Sequence, residues 1–556
     1  MLKRHKFLRR FLKVLAATLL LFGLLFLYLV WVSNIRPPKV EDKSALRLQV
    51  HHADTGLYTI HNNWLRKSHS GLYEMYSEGQ PYERGVIQGK LSEELIKKQE
   101  DYFAAQLFKM IPSNGYRHFL KYFIGWFNRN LPAHVLPEYE KEIYGISHAA
   151  SDNYGFIGTK YQRILNYHSA HDIGHALQNM MLVGCTSFGT WGTASEDGSL
   201  IIGRNFDFYV GDDFAKNKII SFNKPSDGYK FMSVTWGGFI GVVSGMNEKG
   251  LTVTINAAKT DIPKGAATPV SLVVREIIQY AKNIDEAVAI VRKRKMFVSE
   301  SFLIGSAADN KAVLIEKTPD SIAVYDPNIN QILCTNHFQS TEFVNTEINK
   351  QQMAENATTY RYKRLTQLLQ QNGKNNVAKT IGILRNYRGM NNADIGIGNE
   401  KAVNQFIAHH SIVFEPQKLL VWVSTAPWQM GPFVCYDLNK VFSLAGMKQN
   451  REIYEPQYTV AADSFVYSPQ FLQFEKYRSN KQLALDGGSI ITDSIVAQNP
   501  ALYNSWIIAG DYSYKNKDYT NALQYYKKAF TLEIASAGER RHVQEMIQKV
   551  QDMKKN

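Results

Sequence analysis

The middle of the chain reads Val183-Gly184-Cys185-Thr186-Ser187-Phe188, and the stretch Gly203-Arg204-Asn205-Phe206-Asp207-Phe208 follows soon after it. Apolar segments rich in β-forming residues flank both stretches. A cysteine that opens one strand, with an arginine and an aspartate supplied by the next, indicates an activated thiol nucleophile. The alternative is an ordinary Arg204/Asp207 ion pair at a strand end, and these residues alone do not decide between the two.

A thiol nucleophile needs a group that takes its proton. The α-amino group of the cysteine itself can serve, since its ordinary pKa of about 7.7–8.0 lies near neutral pH. That amine becomes available only when the bond between Gly184 and Cys185 is broken. The glycine leaves room for the thiol to attack its carbonyl carbon, so the sequence permits self-cleavage at this bond. Asp207 would then accept from the freed amine, while Arg204 would lower the thiol pKa.

The order of the predicted elements indicates an α+β fold built in layers. Residues 62–180 have a mostly helical pattern, and short β-type runs follow at 200–203, 231–236 and 251–255. Further elements are predicted as two helices near 270–295, strands within 301–334, a helix at 357–371 and a strand pair within 411–423. Blocks of strands and helices in this order are typical of sheets covered by helices.

These motifs resemble the N-terminal-nucleophile (Ntn) hydrolases of the choloylglycine hydrolase and acyl-coenzyme A:6-aminopenicillanic acid acyltransferase type. The family's nucleophile opens a Cys-Thr strand and its next strand carries Gly-Arg-Asn-x-Asp, matching Cys185-Thr186 and Gly203–Asp207. Three later motifs match in the same order, namely Gly245–Asn256, Thr335-Asn336 and the Arg-x-x-Arg pattern of Arg361 and Arg364. The acyltransferase branch fits better, because a segment precedes the cysteine and its stretch Tyr82–Gly89 is similar to that branch.

The resemblance implies a four-layer αββα sandwich, cleavage between Gly184 and Cys185, and chemistry through an acyl-enzyme on Cys185. It places a donor for the reaction's oxyanion, or a group that holds the amine, at Asn256 and at Asn336. For Asn336 a plain turn-forming role is the alternative. The implied catalytic set is Cys185, Arg204, Asp207, Asn256, Asn336 and Arg361. No cofactor and no metal is implied.

Three functions are compatible with this set. We expect a hydrolase of acyl-amide bonds that are not peptides, because a co-substrate for acyl transfer, such as acyl-coenzyme A, is scarce outside the cytoplasm. An acyltransferase that passes the acyl group to an amine shares the mechanism and is the first alternative. An inactive scaffold that binds partners through its C-terminal segment is the second, and the intact catalytic set argues against it. The expected substrate is a small acyl-amide or acyl-thioester.

The sequence pattern at the N-terminus predicts a membrane anchor. Basic residues are concentrated in residues 1–13, and the uncharged apolar run 14–33 that follows is long enough to span a bilayer. Because the basic residues precede the run, we expect the N-terminus in the cytoplasm and the catalytic domain in the periplasm or exterior. A cleaved signal peptide is the alternative, although Ser33–Pro38 is a poor cleavage site.

Charge and cysteine content restrict the expected binding partners and disulfide bonds. The formal net charge is +14, but the basic residues outside the N-terminus are dispersed, so nucleic acid is not an expected partner. Three cysteines in a chain of 556 residues exclude a disulfide framework. Cys334 and Cys435 either pair with each other or are two buried thiols.

The predicted domains are a basic cytoplasmic segment (1–13), an anchor (14–33), a linker (34–61), a pro-segment (62–184), a catalytic core (185–450), a connecting region (451–495) and a helical C-terminus (496–556). The last segment has the spacing of one tetratricopeptide (TPR-like) helix pair, with Trp506, Ala509, Ala522 and Ala529 at the expected positions. One pair cannot cover its own apolar faces, so it should dock on the catalytic domain or bind a protein partner.

Two further features have more than one explanation. His168, His171, Asp172 and His175 share one helical face, which is either a weak candidate metal site or a polar face near the cleavage point. The aromatic stretch 119–127 is either core or a membrane-facing patch, and the core is the favoured explanation. His409-His410 precede a strand, where a structural or substrate-lining role is expected.

Overall fold

The computed structural model describes residues 2–169, 172, 184–209, 211–259 and 265–555. Within these ranges two β-sheets dominate. The larger has eleven strands in the spatial order β1-β2-β3-β4-β7-β8-β9-β10-β11-β12-β13. Their bounds are β1 His51–Asp54, β2 Leu57–Ile60, β3 Asn63–Lys67, β4 Tyr73–Gly79, β7 Ile219–Pro225, β8 Phe231–Thr235, β9 Ser244–Asn247, β10 Leu251–Ala257, β11 Glu300–Ser306, β12 Lys311–Lys317 and β13 Ile322–Tyr325.

The smaller sheet has six strands in the order β14-β5-β6-β15-β16-β17. Their bounds are β5 Thr186–Thr190, β6 Ile201–Phe206, β14 Gln331–Cys334, β15 His410–Glu415, β16 Leu420–Ser424 and β17 Phe433–Asp437. All strand pairs are antiparallel except β4 with β7, which are parallel. The β-strands predicted around 200, 231, 251, 301–334 and 411–423 are therefore confirmed.

Helices cover the outer faces of both sheets. Those between β4 and β5 are Pro81–Leu91, Glu93–Met110, Asn114–Phe127, Pro137–Ser147 and Lys160–Tyr167. Those within the sheet region are Val270–Tyr280, Ile284–Lys293, Glu347–Glu355, Thr358–Asn372, Val377–Leu384 and Leu438–Val441. Those at the C-terminal end are Pro469–Leu485, Thr492–Gln498, Tyr503–Lys515, Tyr519–Phe530 and Ala537–Lys555. The helices predicted near 270–295 and 357–371 are confirmed.

The two sheets pack face to face, and the predicted αββα sandwich is confirmed. Ile202 and Phe414 of the small sheet share one buried cluster with Met232, Leu303 and Leu314 of the large sheet. A second cluster joins the other face of the large sheet to the helices at 270–293, and a third joins the small sheet to the helices at 358–384. Because this part of the large sheet is covered on both faces, every residue of β10 and β11 is buried, including their polar side chains.

The N-terminal part of the chain contributes more strands than its sequence pattern predicts. Within the segment predicted as a linker, β1 and β2 extend the edge of the large sheet, and β3 and β4 continue it. The parallel pairing of β4 with β7 joins segments that are far apart in the chain. Such a non-local partner leaves no local signal in the sequence, so periodicity alone indicated helices here.

The C-terminal helices dock on the catalytic core. Phe406 and Met430 of the core belong to the same buried cluster as Phe471 and Phe474 of the helix Pro469–Leu485. That helix lies within the segment predicted only as a connection. The helices Tyr503–Lys515 and Tyr519–Phe530 cross at Gly510, where an added Cβ would meet the Tyr526 ring at 2.7 Å. A helix pair is thus present, while its identity as a TPR-like repeat stays a prediction.

The first helix is Leu2–Val32, and its apolar side chains from Phe7 onward are mostly exposed. By length and composition its segment Phe7–Val32 is able to cross a membrane, and a signal sequence would have the same properties. The predicted anchor therefore lies on one continuous helix, which begins within the basic segment.

Candidate active site

Cys185 lies at the entrance to β5, directly before its first residue, and is fully buried. Strand β5 is bonded on both sides, to β6 and to β14, which fixes its start rigidly. The backbone N–H of Gly184 donates to the carbonyl oxygen of Asp207 at 2.9 Å. The predicted cleavage bond is therefore held against the end of β6, in the small sheet.

Arg204 directs its guanidinium from β6 toward the large sheet. Its Nη2 lies 3.7 Å from Sγ of Cys185 and donates to the carbonyl oxygen of Ile255 at 2.5 Å. Its Nη1 donates to the carbonyl oxygen of Val243 at 2.7 Å and to Oγ of Ser244. Four acceptors thus fix one cation beside the thiol.

The residue after Arg204 points the opposite way, as strand geometry requires. Asn205 donates to the carbonyl oxygens of Leu384 and Val403 at 2.9 and 3.0 Å, at the end of the helix Val377–Leu384. The two neighbouring residues of the motif therefore have different contacts. Arg204 lies beside the thiol, and Asn205 attaches the outer helix layer to the small sheet.

Asp207 follows β6 and is fully buried. Nε2 of Gln405 lies 3.5 Å from Oδ2 of Asp207, and among the residues described Oδ1 has no hydrogen-bond partner. Burial raises the pKa of Asp207 to about 7, against the lowering effects of Arg361 and Arg204. A carboxyl group that titrates near neutral pH beside a thiol suits proton transfer.

Arg361 links three parts of the site from the helix Thr358–Asn372. Its Nη1 donates to the carbonyl oxygen of Cys185 at 2.6 Å and to Oγ1 of Thr186 at 3.0 Å. Its Nη2 donates to Oδ1 of Asn336 at 2.7 Å. Nδ2 of Asn336 in turn donates to the carbonyl oxygen of Ala257 at 2.9 Å, next to Asn256.

Asn256 lies on β10 and is fully buried. Its Nδ2 donates to the carbonyl oxygen of Cys334 at 3.2 Å, and its Oδ1 accepts from Oγ of Ser187 at 2.8 Å. Because Ser187 and Cys185 are two residues apart at the start of one strand, they lie on the same face. The fold thus brings all six predicted site residues to one end of the sandwich.

The thiol is protonated at neutral pH in this environment. Burial raises the pKa of Cys185 to about 11, while Arg204 and Arg361 oppose that increase and Asp207 and Glu300 add to it. Burial also raises the pKa of Glu300 well above its ordinary value. Cys334 and Cys435 are free and buried like Cys185, so the pairing of these two thiols is excluded and the buried-thiol alternative holds.

His409 and His410, for which the sequence predicts a structural or substrate-lining role, lie behind Arg204, and Ser244 links them to it. Nε2 of His410 lies 2.8 Å from Oγ of Ser244, and Nδ1 of His409 lies 2.9 Å from Nδ1 of His410. Burial lowers the pKa of both histidines well below the ordinary value, so both are neutral. They contact Arg204 through Ser244. The role of Ser244 was not predicted, because nothing in a lone serine signals it.

The histidine face considered as a metal site has a structural explanation in its described part. Nε2 of His168 accepts the backbone N–H of Ile240 at 3.0 Å, and its Nδ1 lies 2.8 Å from the carbonyl oxygen of Ile164. Asp172 accepts the backbone N–H of Val270 at 3.0 Å. The other two members, His171 and His175, lie outside the described residues. Among the residues described, no cluster of three or more His, Cys, Asp or Glu side chains is placed to hold a metal ion.

A cavity of about 540 Å³ lies beside Gln405, between the core and the C-terminal helices. Tyr209, Gln405 and Ile407 line it from the core, and Phe474 and Tyr477 line it from the helix Pro469–Leu485. The side chain that touches the Gly184 carbonyl therefore also faces a partly open cavity whose lining includes three aromatic side chains.

Comparison with known proteins agrees with the motifs. Residues 193–425 match the family model of acyl-coenzyme A:6-aminopenicillanic acid acyl-transferase. This range begins after Cys185 and contains the other five predicted site residues. An uncharacterised protein of Archaeoglobus fulgidus is 25% identical over 272 residues, which are 46% of this chain and 45% of the relative. Protein dcd1B of Dictyostelium discoideum is 24% identical over 172 residues, or 30% and 33% of the two chains. The aligned segments thus span less than half of either relative.

Two solved structures are also similar. An N-acylethanolamine-hydrolyzing acid amidase ortholog of Caenorhabditis elegans is 18% identical, with a TM-score of 0.31, over 42% of this chain and 93% of its own. A variant of the conjugated bile acid hydrolase of Clostridium perfringens is 14% identical, with a TM-score of 0.33, over 49% and 96%. The part of this chain at residues 193–425 is thus similar to the acyl-coenzyme A:6-aminopenicillanic acid acyl-transferase family.

Proposed function

We propose that the protein is a self-cleaving cysteine amidohydrolase of the Ntn type, which hydrolyses an acyl-amide bond through an acyl-enzyme on Cys185. The observation that supports this most directly is the environment of the Gly184–Cys185 bond. Gln405 donates to the carbonyl oxygen of Gly184, and Arg361 donates to the carbonyl oxygen of Cys185. The bond is therefore held on both sides, with the thiol beside Arg204.

Self-cleavage begins when Sγ of Cys185 attacks the carbonyl carbon of Gly184. Asp207, in its carboxylate form, takes the thiol proton and passes it to the nitrogen of Cys185. The C–N bond breaks as the C–S bond forms, which leaves a thioester and a free α-amino group. Water then adds to the thioester, the C–S bond breaks, and Gly184 becomes a carboxylate while the thiol is restored.

Turnover repeats this sequence on an external amide. The new α-amine takes the thiol proton, Sγ attacks the substrate carbonyl, and the proton passes to the departing amine. Arg204 stabilises the thiolate, since a cation beside sulfur lowers the thiol pKa. Asn256 and Asn336 are the proposed amide donors for the oxyanion or the ligands of the α-amine, with Arg361 positioning Asn336.

The acyl-enzyme has two possible fates. Water gives hydrolysis, and an amine gives acyl transfer, the activity in the name of the matched family. We favour hydrolysis because the catalytic domain is proposed to lie in the periplasm or exterior, attached by Phe7–Val32 as a single-pass anchor with a cytoplasmic N-terminus. The substrate is proposed to be a small acyl-amide, and the C-terminal helices remain a possible surface for a protein partner.

Sequencing and mass measurement test the proposal together. We expect the purified protein to contain a chain whose first residue is Cys185. Brief incubation with a panel of N-acyl amino acids, conjugated bile acids and penicillins should add one acyl mass to the peptide that begins at Cys185. Active protein that has an intact Gly184–Cys185 bond, or that carries the acyl group elsewhere, would contradict the proposal.

A further inference from the structure

Gln405 is the side chain in direct contact with the carbonyl that self-cleavage must attack. Its Nε2 donates to the Gly184 carbonyl oxygen at 2.6 Å, and the residue is buried. Nucleophilic attack turns this oxygen into an oxyanion, and hydrogen bonds to an ionised acceptor are about twice as strong as those to a neutral one. A donor already in contact with this oxygen therefore stabilises the tetrahedral intermediate more than the starting amide.

The glycine before the cleavage site makes this contact possible. A Cβ added at Gly184 would lie 2.7 Å from both Nε2 and Oε1 of Gln405. Atoms at that distance overlap, so any larger residue would displace the amide from the carbonyl. The glycine is required for the approach of Gln405 as well as for the approach of the thiol.

We propose that Gln405 is the oxyanion donor for self-cleavage at Gly184–Cys185. This inference rests on the proposed function and adds a catalytic residue to it. Gln405 also contacts Oδ2 of Asp207 at 3.5 Å, so one amide group touches both the reacting carbonyl and the proposed proton carrier. In the proposed sequence it holds the oxygen while the C–S bond forms and the C–N bond breaks.

The test measures the self-cleavage rate of freshly synthesised full-length chains on gels. Gln405→Glu, which keeps the shape but replaces the amide donor, and Gln405→Ala should each slow cleavage by about 10²–10³-fold, as for other single oxyanion donors. Gln162→Glu is the matched control, because Nε2 of Gln162 donates to the carbonyl oxygen of Ser33 at 2.8 Å, away from the cleavage bond. This control should cleave at the wild-type rate.

A double-mutant cycle makes the result specific. Gly184→Ala should also slow cleavage, and adding it to Gln405→Ala should cause less than the product of the two losses, since both remove one contact. Thermal unfolding in a Cys185→Ala background checks that the Gln405 variants fold. Unchanged cleavage in the Gln405 variants would overturn the role of Gln405 alone, whereas a wild-type chain that never cleaves would overturn the proposed self-cleavage.

A second, independent observation concerns the helix Asn114–Phe127. Tyr116, Phe119, Phe123 and Trp126 recur at helical spacing on one face, and their exposed fractions lie between 37% and 54%. The sequence favoured a core role for the stretch at 119–127, and this is wrong for its aromatic face, which is largely exposed in the described structure. An exposed apolar stripe of this kind marks an interaction surface.

The opposite face of this helix packs on the end of the proposed anchor. The Tyr122 ring meets the Phe26 ring edge-on at 5.5 Å, and a Cβ at Gly125 would meet the carbonyl oxygen of Ser33 at 2.5 Å. The helix that carries the aromatic stripe is therefore packed against the outer end of the helix that would cross the bilayer, with the stripe on its other face. Aromatic side chains are enriched at that depth.

The charges on the helix match a lipid surface. Its sequence contains Arg117 and Lys121 and no acidic residue, and the Arg129 guanidinium just beyond it stacks on Trp126 at 4.5 Å. Cations with aromatic rings on one surface helix favour the headgroup region of anionic lipids. We further infer that Asn114–Phe127 lies in the membrane interface and holds the catalytic domain against the bilayer.

An environment-sensitive fluorophore on an introduced cysteine tests this placement, since the native cysteines are buried. Full-length Phe119→Cys and Tyr116→Cys proteins are labelled and reconstituted in vesicles of phosphatidylcholine and phosphatidylglycerol. We expect blue-shifted emission that spin-labelled lipids quench. Tyr467→Cys, whose native side chain is 79% exposed, is the control that should be neither shifted nor quenched.

Unquenched label at both positions 116 and 119 would overturn the interfacial placement. Alkaline extraction of the same vesicles separates this outcome from failure of the anchor. If the protein resists extraction but its labels are unquenched, the anchor is supported and only the interfacial placement of the helix is wrong. If the protein is extracted and its labels are unquenched, both proposals are wrong.

Discussion

Cys185→Ala is expected to leave the full-length chain uncleaved and to lower amide hydrolysis by about 10³-fold or more, as loss of a nucleophile does elsewhere. Alanine has the size to fill the site but no sulfur to attack the Gly184 carbonyl. The buried position of Cys185 and its cation Arg204 at 3.7 Å are otherwise retained. Gel analysis for the fragment that starts at residue 185, and substrate turnover on the same sample, measure both effects.

Cys435→Ala is the matched control, because Cys435 is a buried free thiol in the same sheet. It should be cleaved and active like the wild type, since it lies on β17 and outside the catalytic cluster. Cleavage that persists in Cys185→Ala, or that disappears in Cys435→Ala, would show that the nucleophile is assigned to the wrong cysteine.

Asp207→Asn is expected to slow self-cleavage by about 10²–10⁴-fold, the usual range for a lost acid–base group. The pH dependence gives a second readout. Since the pKa of Asp207 is raised to about 7, its carboxylate form becomes populated as pH rises through that value. The cleavage rate of the wild-type chain should therefore increase with pH across neutrality and then level off.

The Asp207→Asn variant should lose this rise, because an amide does not titrate in this range. Asp213→Asn, at a nearby exposed carboxylate paired with Lys216, serves as the control and should keep the wild-type profile. A wild-type rate that is flat or falls as pH rises through neutrality would remove Asp207 as the base for the intact chain.

The sequence predicted the layers of the fold well where the signal is local. The β-type runs of β6, β8 and β10 and the helices covering them could be located because apolar residues cluster in strand-length and helix-length segments. It failed where the partner is remote, as at β4, whose neighbour β7 follows more than a hundred residues later. For the stretch at 119–127 the sequence favoured core over a membrane-facing patch, because aromatic composition does not reveal which face of a helix is covered.

The sequence by itself determined which chemical groups are present and in what order, from the Gly-Cys junction to Arg361. The order of the motifs is enough to identify these groups, because a motif fixes the identity of each residue and its position on a helix or strand. The tertiary structure alone decided which groups meet. Arg361 reaches the carbonyl of Cys185 from another layer, and Gln405 reaches Gly184 from a loop that resembles no motif. Contacts made across layers depend on packing of distant segments, and that information is not carried by local spacing.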